Sequence, residues 1–434
     1  MGRTLPLIEP EAVGGACCAA CGAEQAPAQA ASPAAAPRVA LPVIQPARPT
    51  GRGVDRRVTF AGLLVAAALL ALAALAAIGS AVGGTVWLPL HLAVAGAAGT
   101  AIAAVLPFFT AALAGVAPAR AGLRIAAIAL VAGGSVAAGL GMTSGTAWLA
   151  ASGGAAYGVG SVAVAAVAFL PLRAALGFTF RLVHLAYAAA LTQVGIGVAL
   201  ATAMLAGWAP VTGAWTALKP AHAWLNVFGF VTLVVAASLI HLAPTVAGAR
   251  IRPRRSASVA LIGLMAGAPL VAVGLAAGWD VVARAGALAE IVGGTALAIH
   301  GAAVQRDRGQ WASDPGWHRF AGLSLVAAPA WLLVALAISA GRILWLGALP
   351  AAWSVGLVAL PLMAGWIGQV LIGAWTHLVP AIGPGDQAAH AVQRRWLGRS
   401  STPRWLAWNG GVALGTGGLL AGNDALTAAG GALL

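Results

Sequence analysis

Six histidines of this chain sit inside apolar runs: His91, His184, His222, His241, His300 and His377. Two more, His318 and His390, fall among loop residues. Neutral imidazole is the commonest transition-metal ligand and a frequent axial ligand of haem iron. An ionisable side chain inside a bilayer is costly, so it is read first as functional. The chain is otherwise sparing with polarity: 8% of its residues are charged and it has two tyrosines. Only one carboxylate, Glu290, lies well inside an apolar run, ten residues before His300. That spacing is about 15 Å along a helix and makes Glu290 a candidate proton-relay group. The only cysteines are Cys17, Cys18 and Cys21, in "GACCAACGAE". Thiols at that spacing suit soft ions such as Cu(I) or zinc, although no histidine is near enough in sequence to complete a zinc set. Each feature also has a plainer reading. A histidine near a helix end can bond a carbonyl, a protonated glutamate can bond a neighbouring helix, and thiols can sit in an unstructured tail.

The elements that must hold these residues follow from hydropathy. The 434 residues are 61% hydrophobic with a mean hydropathy of +0.92, whereas about one quarter of a soluble domain is charged. The 58 glycines suit helices packed closely through small residues. Spanning the hydrocarbon takes roughly 20 residues. Such runs occupy 59–80, 86–110, 124–142, 147–171, 182–207, 223–244, 258–278, 284–303, 319–340, 352–378 and 404–422. The closing "DALTAAGGALL" is too short to span alone. The expected fold is therefore an all-α polytopic transmembrane bundle of about 11–12 helices over residues 58–434. Residues 1–57 are polar and Pro/Ala-rich and read as a disordered cytoplasmic tail without a cleavable leader.

Charge fixes the expected orientation. With the N-terminus inside, 21 of the 24 Lys and Arg fall on the cytoplasmic side, and only Lys219, Arg284 and Arg342 fall outside. This is the positive-inside pattern of a multi-pass protein of the cell membrane. The formal charge of +14 therefore reflects a lipid bilayer as partner, and no nucleic acid is implied.

The topology gives each histidine a depth. His91 and His222 fall in the outer layer, and His184, His241, His300 and His377 in the inner one. His222 and His241 share one helix but stand nineteen residues, about 28 Å, apart, so they cannot share one metal ion. An internal repeat sharpens the pattern. "GFVTLVVAASLIHLAP" (Gly229 to Pro244) aligns without gaps to the later stretch "GWIGQVLIGAWTHLVP" (Gly365 to Pro380) and keeps the histidine. "GAAGTAIAAVLPFF" in the second span reads as a worn third copy.

The stretches "HAWLNVFGFVTLVVAASLIHLAPTVAG", "WLPLHLAVAGAAGTAI" and "GQVLIGAWTHLVP" resemble the polytopic proteins related to NnrS and, more distantly, subunit I of haem–copper oxidases and nitric oxide reductases. Within that group the resemblance is nearest to the actinobacterial membrane region found alone or fused to multicopper oxidase domains. It runs over residues 59–422. It implies b-type haem, with copper as a second cofactor, and makes His91, His222, His241 and His377 the first ligand candidates. The sequence also departs from the pattern. Trp224 stands where relatives often carry a second histidine, no two histidines are adjacent, and Tyr187 follows His184 by three residues rather than four. A binuclear oxygen-reducing centre is therefore not expected.

Three functions follow as expectations. The first is an integral membrane haem- and copper-binding protein in electron transfer or in nitric oxide or nitrite handling. In it His91 and His222 form an outer site, and His241, His377, His184 and His300 an inner one. The second is a metal or small-solute transporter, against which the absence of any Met-x-x-Met pair counts. The third is a membrane anchor or assembly partner of a separate cupredoxin or multicopper oxidase.

Overall fold

The computed structural model describes residues 52–81, 87–175, 177, 180–309, 317–349, 355–382 and 385–434. Among them every regular element is a helix, and ten helices are long and apolar enough to cross a membrane. We number them α1 (Arg52–Ala81), α2 (Trp87–Ala114), α3 (Ala121–Thr143), α4 (Ala147–Phe169), α5 (Arg181–Leu205), α6 (Trp215–Ala247), α7 (Arg255–Ala277), α8 (Asp280–Arg306), α9 (Trp317–Leu346) and α10 (Gly356–Pro380). The amphipathic α11 (Gln387–Gly398), α12 (Ser401–Ala421) and the short α13 (Asp424–Ala432) follow. The chain is thus an all-α multi-pass membrane bundle. The eleventh expected span is present as α12, whose 21 residues are long enough to cross, but Arg404, Asn409 and several glycines make it less apolar than the ten.

α1 begins at Arg52, inside the expected tail. Its first turn is held by an ion pair: Arg124 on α3 donates to Asp55 (2.8 Å) and to Thr59 (2.8 Å), with the guanidinium fully buried. Cys17, Cys18, Cys21 and the rest of the tail through residue 51 lie outside the described residues.

Three spans form the centre. α2, α6 and α10 have 61, 72 and 56% of their spanning windows buried, against 28–50% for the other seven. Each contains a π-helical segment, at Leu92–Ala98, Leu225–Thr232 and Leu360–Gly368. π turns are rare and concentrate at functional sites. The first two begin at matching places, Leu92 and Leu225, and the third, at Leu360, within one residue of it, in the half of each span away from the arginine-rich loops. Around this centre lie three equivalent sets: α1 with the α3–α4 hairpin, α5 with α7–α8, and α9 with α12–α13.

The hairpins show how closely the sets correspond. A Cβ on Gly134, Gly267 or Gly411 would meet the carbonyl oxygen of Gly153, Gly286 or Gly430 at 2.8, 3.0 and 2.8 Å. Each of these glycines therefore lets two helix backbones touch. Gly145, Gly278 and Gly422 then end the first helix of each hairpin at φ +68, +69 and +62°, a region open to glycine at little cost. The interval along the chain from the second hairpin to the third is longer than that from the first to the second. Most of the extra residues enter with α11.

Of the exposed tryptophans among the described residues, Trp148, Trp208, Trp279 and Trp345 gather at one end of the bundle, while Trp396 of α11 lies with most arginines at the other. Indoles favour the membrane–water interface, and this belt matches a lipid bilayer as the surroundings.

Candidate functional site: two histidine layers

At the tryptophan end, His91 is the last residue before the π segment of α2, and His222 stands three residues before that of α6. The Nδ1–H of His91 donates to the Trp87 carbonyl (2.8 Å), one helical turn back, and its ring stacks on Trp87 with centroids 4.0 Å apart. The Nδ1–H of His222 donates across to the Gly197 carbonyl of α5 (2.8 Å). Asn226 fills the space beside Gly197 and donates from Nδ2 to the His222 carbonyl (2.7 Å). Trp215 lies 5.9 Å from the His222 ring. The two π segments pack together, and the imidazoles are close enough to interact electrostatically. With Nδ1 engaged by a carbonyl, Nε2 is the basic nitrogen of each ring. Outer hydrogen bonds orient metal-ligating histidines in this way.

At the arginine-rich end, His241 of α6 lies within electrostatic range of His184 on α5 and of His300 on α8. Their environments differ. His184 is a clamp: Nδ1 faces the Phe180 carbonyl (2.9 Å) and Nε2 the Thr110 carbonyl of α2 (3.3 Å). His241 is buried edge-on to Phe180 with ring centroids 4.4 Å apart, and neither nitrogen has a hydrogen-bond partner among the described residues. The same holds for both nitrogens of the buried His300. Beside it, Arg254 donates to Asp307 (2.6 Å) and closes this end. His377 occupies on α10 the place His241 has on α6 and is partly exposed. His390 lies on α11, outside both layers; the side chain of His318 lies outside the described residues.

Glu290 is fully buried at mid-depth of α8, against Gly267 of α7, and neither carboxyl oxygen has a hydrogen-bond partner among the described residues. The corresponding residue of α4 is Tyr157, whose hydroxyl fills the space at Gly99. Cross-helix bonds outside the sequence expectations fix the central helices in register. The Trp366 indole of α10 donates to Thr232 of α6 (3.2 Å), and Trp408 of α12 donates to the Ala364 carbonyl in the third π segment (3.1 Å).

The donor sets decide which groups these layers suit. Among the described residues no three His, Cys, Asp or Glu side chains converge as a metal site. A porphyrin brings four nitrogens of its own and asks the protein for one or two axial ligands. Two imidazoles oriented through Nδ1 meet that requirement; a copper ion held by protein ligands alone asks for more. No protein-family model and no curated protein sequence matches this chain.

Proposed function

We propose that this protein is an integral membrane haem protein acting in electron transfer or in nitric oxide or nitrite handling, with His91 and His222 as the residues that would hold a b-type haem. The observation that carries the reading is the pair of imidazoles just ahead of two adjoining π segments, each with Nδ1 donating to a backbone carbonyl at 2.8 Å. A haem held there supplies one-electron redox chemistry. The chain's own residues orient the ligands: the Trp87 and Gly197 carbonyls fix the tautomer, and Trp87 covers one ring.

His241 and His300, with their unbonded ring nitrogens, are the candidates for copper or a second haem, and Glu290 for proton transfer. We place the arginine-rich end in the cytoplasm of a cell-membrane protein on the positive-inside rule. A separate cupredoxin or multicopper oxidase is the partner the sequence resemblance implies.

The test is a dithionite-reduced minus oxidised spectrum of the detergent-purified protein, with a pyridine haemochrome assay. A sharp alpha band that is lost in His91→Ala and His222→Ala is expected. A flat spectrum after expression with ample haem overturns the proposal.

A further inference from the structure

The third set of helices departs from the other two at α11. The corresponding connections are short: α2 ends at Ala114 and α3 begins at Ala121, and α6 ends at Ala247 and α7 begins at Arg255. Between α10 and α12 the chain instead inserts a helix of 12 residues, about 18 Å long and too short to span. Because α10 ends and α12 starts at the arginine-rich end, α11 lies at that membrane surface, packed against α9 and α10. Its corner with α12 is fixed. Arg404 donates to the carbonyls of Leu397 (2.9 Å) and Arg399 (3.1 Å), and Ser401 donates to that of Gly398 (2.6 Å). These bonds satisfy carbonyls that a helix end otherwise leaves open, and Ser400 turns the chain at φ +50°.

The outward face of α11 carries two kinds of side chain. Val392 and Trp396, one helical turn apart, are 43 and 62% exposed. Arg395 and Arg399 are exposed beside them, and the Arg399 guanidinium stacks on the Trp396 ring at 4.1 Å. Stacking occupies the flat face of a guanidinium and leaves its in-plane N–H groups able to donate. Neither arginine has a carboxylate partner among the described residues. Asp386, the nearest acid in sequence, caps the far end of α11, where it accepts from the Ala389 amide (2.9 Å). An indole and a valine suit the boundary between headgroups and acyl chains, and arginine forks suit phosphate oxygens.

We propose that α11 binds the phosphate headgroup of an anionic phospholipid, with Arg395 and Arg399 as the donors and Trp396 seated at the base of the headgroup layer. Two features single out a lipid. The positive charge of this face has no acid to balance it, and the exposed apolar pair is continuous with the bilayer surface that α10 and α12 reach. A soluble phosphate compound would leave Val392 and Trp396 in water. The site is independent of both histidine layers and peculiar to the third set, since the first two have no helix at this place.

Native mass spectrometry of the full-length protein in mild detergent measures the binding of added phosphatidylglycerol and phosphatidylcholine with the same acyl chains. Wild type is compared with the double variant Arg395→Gln, Arg399→Gln. A second double variant, Arg250→Gln, Arg255→Gln, removes the same charge from the α6–α7 connection at the same end. Wild type and the α6–α7 variant are expected to prefer phosphatidylglycerol, and the α11 variant to bind it about tenfold more weakly. Equal binding of phosphatidylglycerol by all three proteins overturns the site and leaves the face to a protein partner. Equal binding of the two lipids by wild type overturns it as well. So does an equal loss in both variants, which would show general attraction to a basic surface. Hydrogen exchange of wild type in nanodiscs needs no variant. Slower exchange over residues 387–399 when phosphatidylglycerol is added to phosphatidylcholine is expected, and an unchanged rate overturns the site.

Discussion

Tyr157 and Glu290, on α4 and α8, occupy the same place in two equivalent helix hairpins. The backbone of Tyr157 packs on Gly134 and that of Glu290 on Gly267. In the third hairpin Leu434 holds the place beside Gly411. One scaffold position thus carries a phenol, a carboxyl group and an alkyl group. The scaffold tolerates the change because the fit is made by the glycine opposite and leaves the side chain free to vary.

The glycine contacts set a first expectation. Gly267→Leu forces α7 and α8 apart and destabilises the protein by about 1–3 kcal/mol or more. Gly133→Leu is the control, since Gly133 is exposed with nothing near its Cβ position, and leaves stability unchanged. Thermal unfolding in detergent, followed by loss of the monodisperse peak, compares them. Equal midpoints would show that the hairpin contacts are not tight.

The two histidine layers are separable. If the proposed haem is held at the tryptophan end, His91→Ala and His222→Ala each remove its signal, whereas His241→Ala and His300→Ala leave it in place. Absorbance difference spectra of the four proteins check this. Loss of the same band in all four would place the haem elsewhere.

The Trp366–Thr232 bond ties α10 to α6. Thr232→Val leaves the indole N–H unpaired inside the bundle and costs about 1–3 kcal/mol. Trp366→Phe in the Thr232→Val background costs less than in wild type, by a coupling of about 1 kcal/mol. A double-mutant cycle on the unfolding midpoint measures it, and strict additivity would remove the bond's role.

Arg124 is buried with Asp55 as its ionic partner. Asp55→Ala leaves the guanidinium with Thr59 and destabilises the protein by about 3 kcal/mol, the lower part of the range for a broken buried pair, because Asp55 itself is 20% exposed. Replacing both residues together, as Asp55→Ala with Arg124→Leu, recovers part of that loss. Unfolding midpoints of the three proteins decide, and a neutral Asp55→Ala would make the pair a surface contact.

The amino-acid sequence by itself determined the apolar spans, their order and the depth of each histidine, because helix rise and bilayer thickness convert residue number into height. The His-Leu-x-Pro repeat was also legible, since Gly229 and Gly365 anchor it without gaps. The recurrence of the hairpin glycines is in the sequence too. In a chain with 58 glycines it has no contrast until Gly134 is seen on Gly153 and Gly267 on Gly286. Only the tertiary structure decided the rest. No residue type encodes a π turn, so nothing in the sequence foretold the three segments that rotate the faces of α2, α6 and α10. That His184 faces the Thr110 carbonyl, while His241 and His300 keep unbonded nitrogens, depends on contacts between residues far apart in the chain. Sequence fixes how deep a side chain lies. Which neighbour it meets at that depth is set by how the helices pack and rotate about one another.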